Sequence, residues 1–187
     1  MSIILNGTTG ITTPDVTSTT STLGSLTQAL DLGSTGQIVF PATQNASANA
    51  NTLDDYEEGT WTPEFSFSGG GSVTYSGQAG SYTKIGHLVT VTINLIVSGT
   101  SSPIGDVSIA NLPFSSPGVS ERFVASGAVG LARNFNSSGL VLRLYKGASG
   151  TSIVLSKGDT NQGHVWLAAS DLTAGTLLYM TLTYPTS

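Results

Sequence analysis

The stretch Leu88–Val97 constrains the fold of this chain more than any other. Val89, Val91, Ile93, Leu95 and Val97 fall on one side of an extended backbone, and Leu88, Thr90, Thr92, Asn94 and Ile96 fall on the other. A helix would scatter the first set around its axis, whereas a strand collects it on one face. Burying these five aliphatic side chains is worth on the order of 10 kcal/mol before entropy, at ~1.5–3 kcal/mol each. The second face is mostly polar, so a sheet built on this strand meets solvent or a wet interface there.

Shorter segments repeat the pattern. Residues 61–68 place Trp61, Pro63, Phe65 and Phe67 on one face, and Gly69-Gly70-Gly71 must turn before Val73-Thr74-Tyr75. Further strands are expected at Asp106–Leu112, Phe123–Leu131, Leu140–Tyr145, Ser152–Ser156, Gly163–Ala168 and Leu178–Tyr184. In the second of these, Phe123, Ala125, Gly127, Val129 and Leu131 share a face. Turn-forming residues separate the runs, as at Ser116-Pro117-Gly118, Asn136-Ser137-Ser138-Gly139 and Gly158-Asp159. About eight short strands with no long helical pattern predict an all-β fold: an antiparallel, jelly-roll-like β-sandwich over residues 61–187. No fixed-period repeat supports a parallel β-helix.

Composition agrees. Charged residues make up 9% of the chain, too few for the polar faces of a helical protein, while glycine, serine and threonine abound. The chain has no cysteine, which removes disulfides, thiol nucleophiles and cysteine-ligated zinc. Met1–Leu5 is too short for a signal peptide, and no apolar run reaches the length of a bilayer span, so no membrane insertion is expected. Assembly in a cytoplasm is the expectation. The net charge of −5 is unevenly spread: residues 1–83 carry seven acids and no lysine or arginine, and residues 84–187 carry six bases and four acids. Those bases are dispersed among strands, so the clustered cations that displace counterions from a nucleic acid are missing and no nucleic-acid partner is expected.

Residues 1–60 read as an extended arm. Up to residue 52 the composition approaches that of a flexible linker. It is interrupted by apolar islands at Ile3-Ile4-Leu5, at Leu23, Leu26 and Leu30, and at Ile38-Val39-Phe40. The middle island has partial helical spacing, with Gly24 and Gly33 limiting any helix to about two turns. None of the islands buries enough to offset ~1–2 kcal/mol of backbone entropy per residue. If the arm is ordered, either it folds back on its own globular domain, or copies of itself or a larger assembly supply the missing surface, with these islands making the attachment.

The junction Leu53-Asp54-Asp55-Tyr56-Glu57-Glu58-Gly59-Thr60-Trp61-Thr62-Pro63, with Phe40-Pro41-Ala42 before it, resembles a junction in tailed-bacteriophage structural proteins, chiefly tail-fibre-like and other surface-fibre proteins. The opening Leu5-Asn6-Gly7-Thr8-Thr9-Gly10-Ile11-Thr12-Thr13-Pro14 resembles the start of such proteins, with less information in it. The resemblance implies a virion structural protein: a short fibre, homotrimeric, whose arm docks to other virion proteins of tail, baseplate, neck or capsid. Its β-domain would face outward for adhesion to a host-surface glycan. A capsid-decoration, head-fibre or neck-fibre role is the nearest alternative, and a virion-associated polysaccharide depolymerase a further one.

Residues that could carry chemistry are few. Asp54, Asp55, Glu57 and Glu58 form the one dense set of oxygen ligands, but they lack the alternating spacing and central glycine of a calcium loop, so a solvated hinge is expected and no metal or cofactor. His87 and His164 are the two histidines, and neither sits in a nucleophile or metal motif. A glycosidase needs two carboxylates at a set separation, and Asp106, Glu121, Asp159 and Asp171 are those available after residue 64. Each falls in an expected turn or strand end, and binding without catalysis is the reading. Among the aromatics, Tyr145 and Tyr179 are the candidates for stacking on sugar rings. Trp61 and Trp166 sit inside alternating apolar sequence and are expected to be core or intersubunit anchors.

Overall fold

The alternation at Leu88–Val97 lies in one arm of a long hairpin. In a computed structural model, residues 36–43, 47–49, 51–116, 126–137, 143–145, 150–158 and 165–186 are described. The chain divides into two units, Met1–Val39 and Phe40–Ser187. The strands, all in the second unit, are β1 (Tyr56–Trp61), β2 (Glu64–Phe67), β3 (Ser72–Ile85), β4 (Leu88–Ser101), β5 (Val107–Ala110), β6 (Ser126–Arg133), β7 (Arg143–Tyr145), β8 (Ile153–Lys157), β9 (Val165–Trp166) and β10 (Leu177–Pro185). One 3-10 turn spans Ala169–Asp171.

These strands form two antiparallel sheets, as the sequence pattern predicts. The long sheet has the order β1-β3-β4-β10-β6, and the short sheet β2-β5-β8-β7 with β9 paired to β8. The last strand thus inserts between β4 and β6. β3 and β4 pair along almost their whole length, from Ile85 opposite Leu88 to Ser72 opposite Ser101. They are joined through Gly86, at φ +55°, and His87, a two-residue connection in which glycine supplies the positive φ.

The core lies between the sheets. Val89, Val91, Ile93, Leu95 and Val97 of β4 and Leu178, Met180, Leu182 and Tyr184 of β10 are all buried. They cluster with Phe65, Val107, Ile109, Ile153, Leu155 and Leu167 from the short sheet and its connections. Five alternate residues of one strand thus do what their spacing predicts.

Three local readings change. Residues 61–68 are not one strand. The chain leaves the long sheet after Trp61 and enters the short sheet at Glu64, because Pro63 has no N–H to offer a ladder. Trp61, Pro63, Phe65 and Phe67 still turn toward the interior across this corner. Residues 76–80, glycine- and serine-rich, belong to β3 although their sequence shows no strand pattern. The neighbouring β4 supplies the ladder, and two glycines make room: Gly80 lies under the Trp61 indole, and a Cβ on Gly77 would stand 2.9 Å from Ile96 Cδ1. Finally, Val129 and Leu131 do not share a face. The register places Tyr179 opposite Leu131 but Met180 opposite Val129, so Gly130 is the extra residue of a bulge. Val129 and Ala132 pack on the core while Leu131 faces outward, 39% exposed. Phe123 and Ala125 lie outside the described residues.

The sheet also reaches further toward the N-terminus than residue 61. Tyr56–Trp61, of which residues 56–60 were assigned from sequence to the arm, pairs in register with Gly80–Ile85 as the edge strand β1.

Candidate functional site

The outer face of the long sheet is built from the residues that alternate with the core. Thr90 and Thr183 join hydroxyls across β4 and β10 at 3.0 Å, and Ser81 and Thr92 join theirs across β3 and β4 at 2.7 Å. One row further along, Asn94 is the register partner of Tyr179, which in turn faces Leu131 across β6. Here the bulge at Gly130 opens the surface into a depression of about 280 Å³, lined by Thr92, Asn94, Gly130, Tyr179 and Thr181. A Cβ on Gly130 would meet only the Tyr179 carbonyl oxygen, at 3.7 Å, so the missing side chain leaves room rather than relieving a clash. Tyr179 is half-buried. The Asn94 Oδ1 atom is buried with no hydrogen-bond partner among the described residues.

A buried acceptor without a donor costs free energy unless something supplies one. The depression offers two threonine hydroxyls and a partly open phenol ring, with no ionised group among its lining residues, while the Asn94 oxygen itself is closed off from solvent beneath it. That set of groups suits a neutral, polyhydroxylated ligand, which stacks C–H surface on an aromatic ring and exchanges hydrogen bonds at its rim.

Tyr145 lies elsewhere. It is in β7 of the short sheet, as the register partner of Val154, so the two tyrosines singled out from sequence belong to different sheets. Trp61 packs on the core edge, with its Nε1 buried and lacking a partner among the described residues.

The four junction acids do not converge. Asp55 is buried and ion-paired with Lys84, whose ammonium also lies 5.4 Å from the centroid of the Phe114 ring. Glu57 accepts a hydrogen bond from the Tyr82 hydroxyl at 2.5 Å, Glu58 one from the Tyr56 hydroxyl at 2.9 Å, and Asp54 one from the Ser47 N–H at 2.7 Å. Each has its own partner. Among the described residues no group of three or more metal-ligating side chains occurs. Instead of a solvated hinge, Asp55 makes the junction a fastened one, tied to β3.

Of the four carboxylates considered for catalysis, Asp171 is buried and held by Lys157 Nζ at 2.7 and 2.8 Å and by the Ala168 N–H at 2.9 Å. Asp106 is exposed beside β5. Glu121 and Asp159 lie outside the described residues, as does His164, while His87 is exposed in the β3–β4 connection. Of the attachment residues, Ile3, Ile4, Leu5, Leu23, Leu26 and Leu30 also lie outside. Ile38 and Val39 are exposed, and Phe40 is half-buried with its ring 6.1 Å from that of Tyr56.

Sequence reasoning missed Asn94 and Gly130 as site residues. Asn94 was legible as a polar interruption between Thr92 and Ile96, but its lack of a partner and the bulge at Gly130 depend on how β10 meets β6.

Comparison with known proteins places the fold. The crystal structure of the Dettilon tailspike protein is similar, with a TM-score of 0.60 at 18% sequence identity. The match covers 70% of this chain and 24% of the tailspike chain, so this chain corresponds to about a quarter of that protein's length. No family model and no curated protein sequence matches. The chain is an antiparallel β-sandwich protein whose fold recurs in a phage tailspike.

Proposed function

We propose that this chain is a bacteriophage virion protein of the short tail-fibre type, acting by adhesion and not by catalysis. Its N-terminal arm attaches it to other virion proteins, three copies associate, and the β-sandwich presents its outer faces to glycans of the host surface. The observation that carries this reading is the depression around Tyr179, where a half-buried ring and threonine hydroxyls meet on an outward-facing sheet. The likeness of fold to a tailspike and the junction Leu53–Pro63 support the setting. Of the four carboxylates considered for turnover, Asp171 is held by Lys157 in a partly buried pair and is in no position to serve as nucleophile.

The test separates the two halves of the chain. A cut must fall before Asp54, since β1 and the Asp55–Lys84 pair belong to the folded domain. A protein lacking residues 1–52 should keep its β-sheet circular dichroism and still bind host cells, yet fail to enter virions. Tyr179→Ala in the full chain should enter virions normally and lose at least about tenfold in cell binding, the scale set by one stacked, hydrogen-bonded contact. Normal incorporation without the arm would reverse the polarity, making the sandwich the docking element as in a capsid-decoration protein.

A further inference from the structure

The short sheet carries a second depression, of about 310 Å³, on the outer side of β2, β5, β8 and β9. Its lining includes Ser66, Ser108, Val154, Asp106 and Trp166. Ser66 and Ser108 are register partners, as are Ser108 and Val154, so they form one row across three strands. Tyr145 continues that row as the register partner of Val154.

Two features mark this as a built surface. Asp106 is fixed by its backbone: its N–H donates to Ser68 Oγ at 2.8 Å, its carbonyl accepts from the Ser68 N–H at 3.1 Å, and it bridges to Ala168. Its side chain is nevertheless exposed, and no described residue bonds or pairs with its carboxylate. Trp166 is likewise positioned by the sheet, paired with Ser156 of β8, and it is half-buried in the depression's wall. An exposed carboxylate on an anchored backbone and an aromatic wall around a mostly neutral floor match the two contacts a pyranose makes best. Its hydroxyls donate to a charged acceptor, and its C–H face packs on an aromatic ring.

Other ligands fit less well. An extended peptide would add along the β2 edge of this sheet, through unpaired backbone, and not on the sheet face that carries the depression. A purely apolar ligand would desolvate Asp106 without replacing its hydrogen bonds. An anionic sugar would meet the Asp106 carboxylate, the one ionisable group in the lining, as a like charge.

We infer that the depression between Asp106 and Trp166 is a second saccharide subsite, selective for neutral pyranoses over uronic or sialic acids. It rests on the adhesion reading for the source of the sugar, but its geometry is independent of the Tyr179 site. Full-length protein is titrated with methyl β-glucopyranoside, methyl β-galactopyranoside and glucuronate, following saturation-transfer NMR and tryptophan fluorescence. At least one neutral glycoside should bind and change the fluorescence, with glucuronate about tenfold weaker or worse. Asp106→Asn, at an exposed position, should weaken the neutral glycoside about tenfold by removing a charge-assisted bond. Trp166→Ala should cut saturation transfer to what the Tyr179 depression alone contributes, and Trp166→Phe, which keeps an aromatic wall if alanine unfolds the strand, should retain part of the difference. Failure of both neutral glycosides to bind, wild-type binding by both Asp106→Asn and Trp166→Phe, or equal affinity for glucuronate would each overturn the inference. If the Asp106 and Trp166 variants bind glycosides and cells like wild type while Tyr179→Ala does not, the subsite falls and the adhesion reading stands. If glycosides bind at Trp166 but the protein ignores host cells, the subsite stands and adhesion falls.

Discussion

The two faces of the long sheet are made by the same strands and differ in almost every physical respect. The inner face presents Val89, Val91, Ile93, Leu95 and Val97 to a closed core, each at most 2% exposed. On the outer face, residues one position away carry hydroxyls, an amide and a phenol, and they line a depression open to solvent. The inner face therefore sets stability, through burial that tolerates no charge, while the outer face is free to vary because little free energy depends on it. One strand carries both kinds of information on alternate residues, so a change of a single position moves a mutation from one kind to the other.

The sharpest way to break this comparison is a pair of neighbouring substitutions. Ile93→Asp should prevent folding, since it places an unpaired carboxylate among Val91, Leu95 and Met180. Thr92→Asp should fold, shifting stability by no more than about 0.5 kcal/mol. Circular dichroism and urea denaturation decide it, and equal damage from both would mean the outer face is covered as well.

A smaller effect is expected at Lys84, a charge that the inner face accepts. Lys84 lies on the core side of β3, opposite Val89, and is neutralised by Asp55 and covered by Phe114. Asp55→Ala strands the ammonium and should cost about 3–5 kcal/mol. The double variant Asp55→Leu with Lys84→Met should recover most of that loss, because breaking a buried pair costs more than replacing it. No recovery in denaturation midpoints would show that the pair contributes something beyond cancelling its own burial.

Gly80 tests how closely the corner is packed. Any Cβ there collides with the Trp61 indole, so Gly80→Leu should lose about 1–3 kcal/mol, with a shift in tryptophan fluorescence as Trp61 is displaced. A wild-type spectrum and stability would mean that Trp61 is not seated over β3.

The gentlest perturbation is pH. Burial pushes the Tyr184 phenol up to about 12, with its hydrogen bond to the Phe114 backbone opposing weakly. Tyr75, through burial, and Tyr82, chiefly through its hydrogen bond to Glu57, are raised as well. The unfolded chain releases these protons near pH 10, before the folded one does, so stability is intact below about pH 10 and falls as pH rises toward 12. Tyr184→Phe should flatten that fall in denaturation midpoints measured between about pH 9 and 11.5. A midpoint that does not fall over the same range, and that Tyr184→Phe leaves unchanged, would place the phenol in water.

Much of the inner face was legible in the sequence, because period-two alternation and burial are the same fact seen from two sides. Val89 through Val97, Leu178, Leu182 and Tyr184 could be assigned to a core, and the turns to glycine, proline and serine clusters, without knowing what they pack against. Tyr179 was visible as an aromatic in a strand. The sequence could not show which residues would stand beside it.

What the chain determined by itself, then, was class and face: strands, a sandwich, and which side of β4 is dry. These follow from local chemistry repeated every second residue. Only the tertiary structure decided pairing. That Asp55 meets Lys84 across 29 positions, that Gly130 is the residue squeezed out between β6 and β10, and that Asp106 comes to lie by Trp166 all depend on strand order and register. Register is set by the summed fit of many contacts between distant segments, and no single segment carries that sum. Both depressions arise at that level. The residues that line them are ordinary in sequence and become a surface with chemistry only where separate strands bring them together.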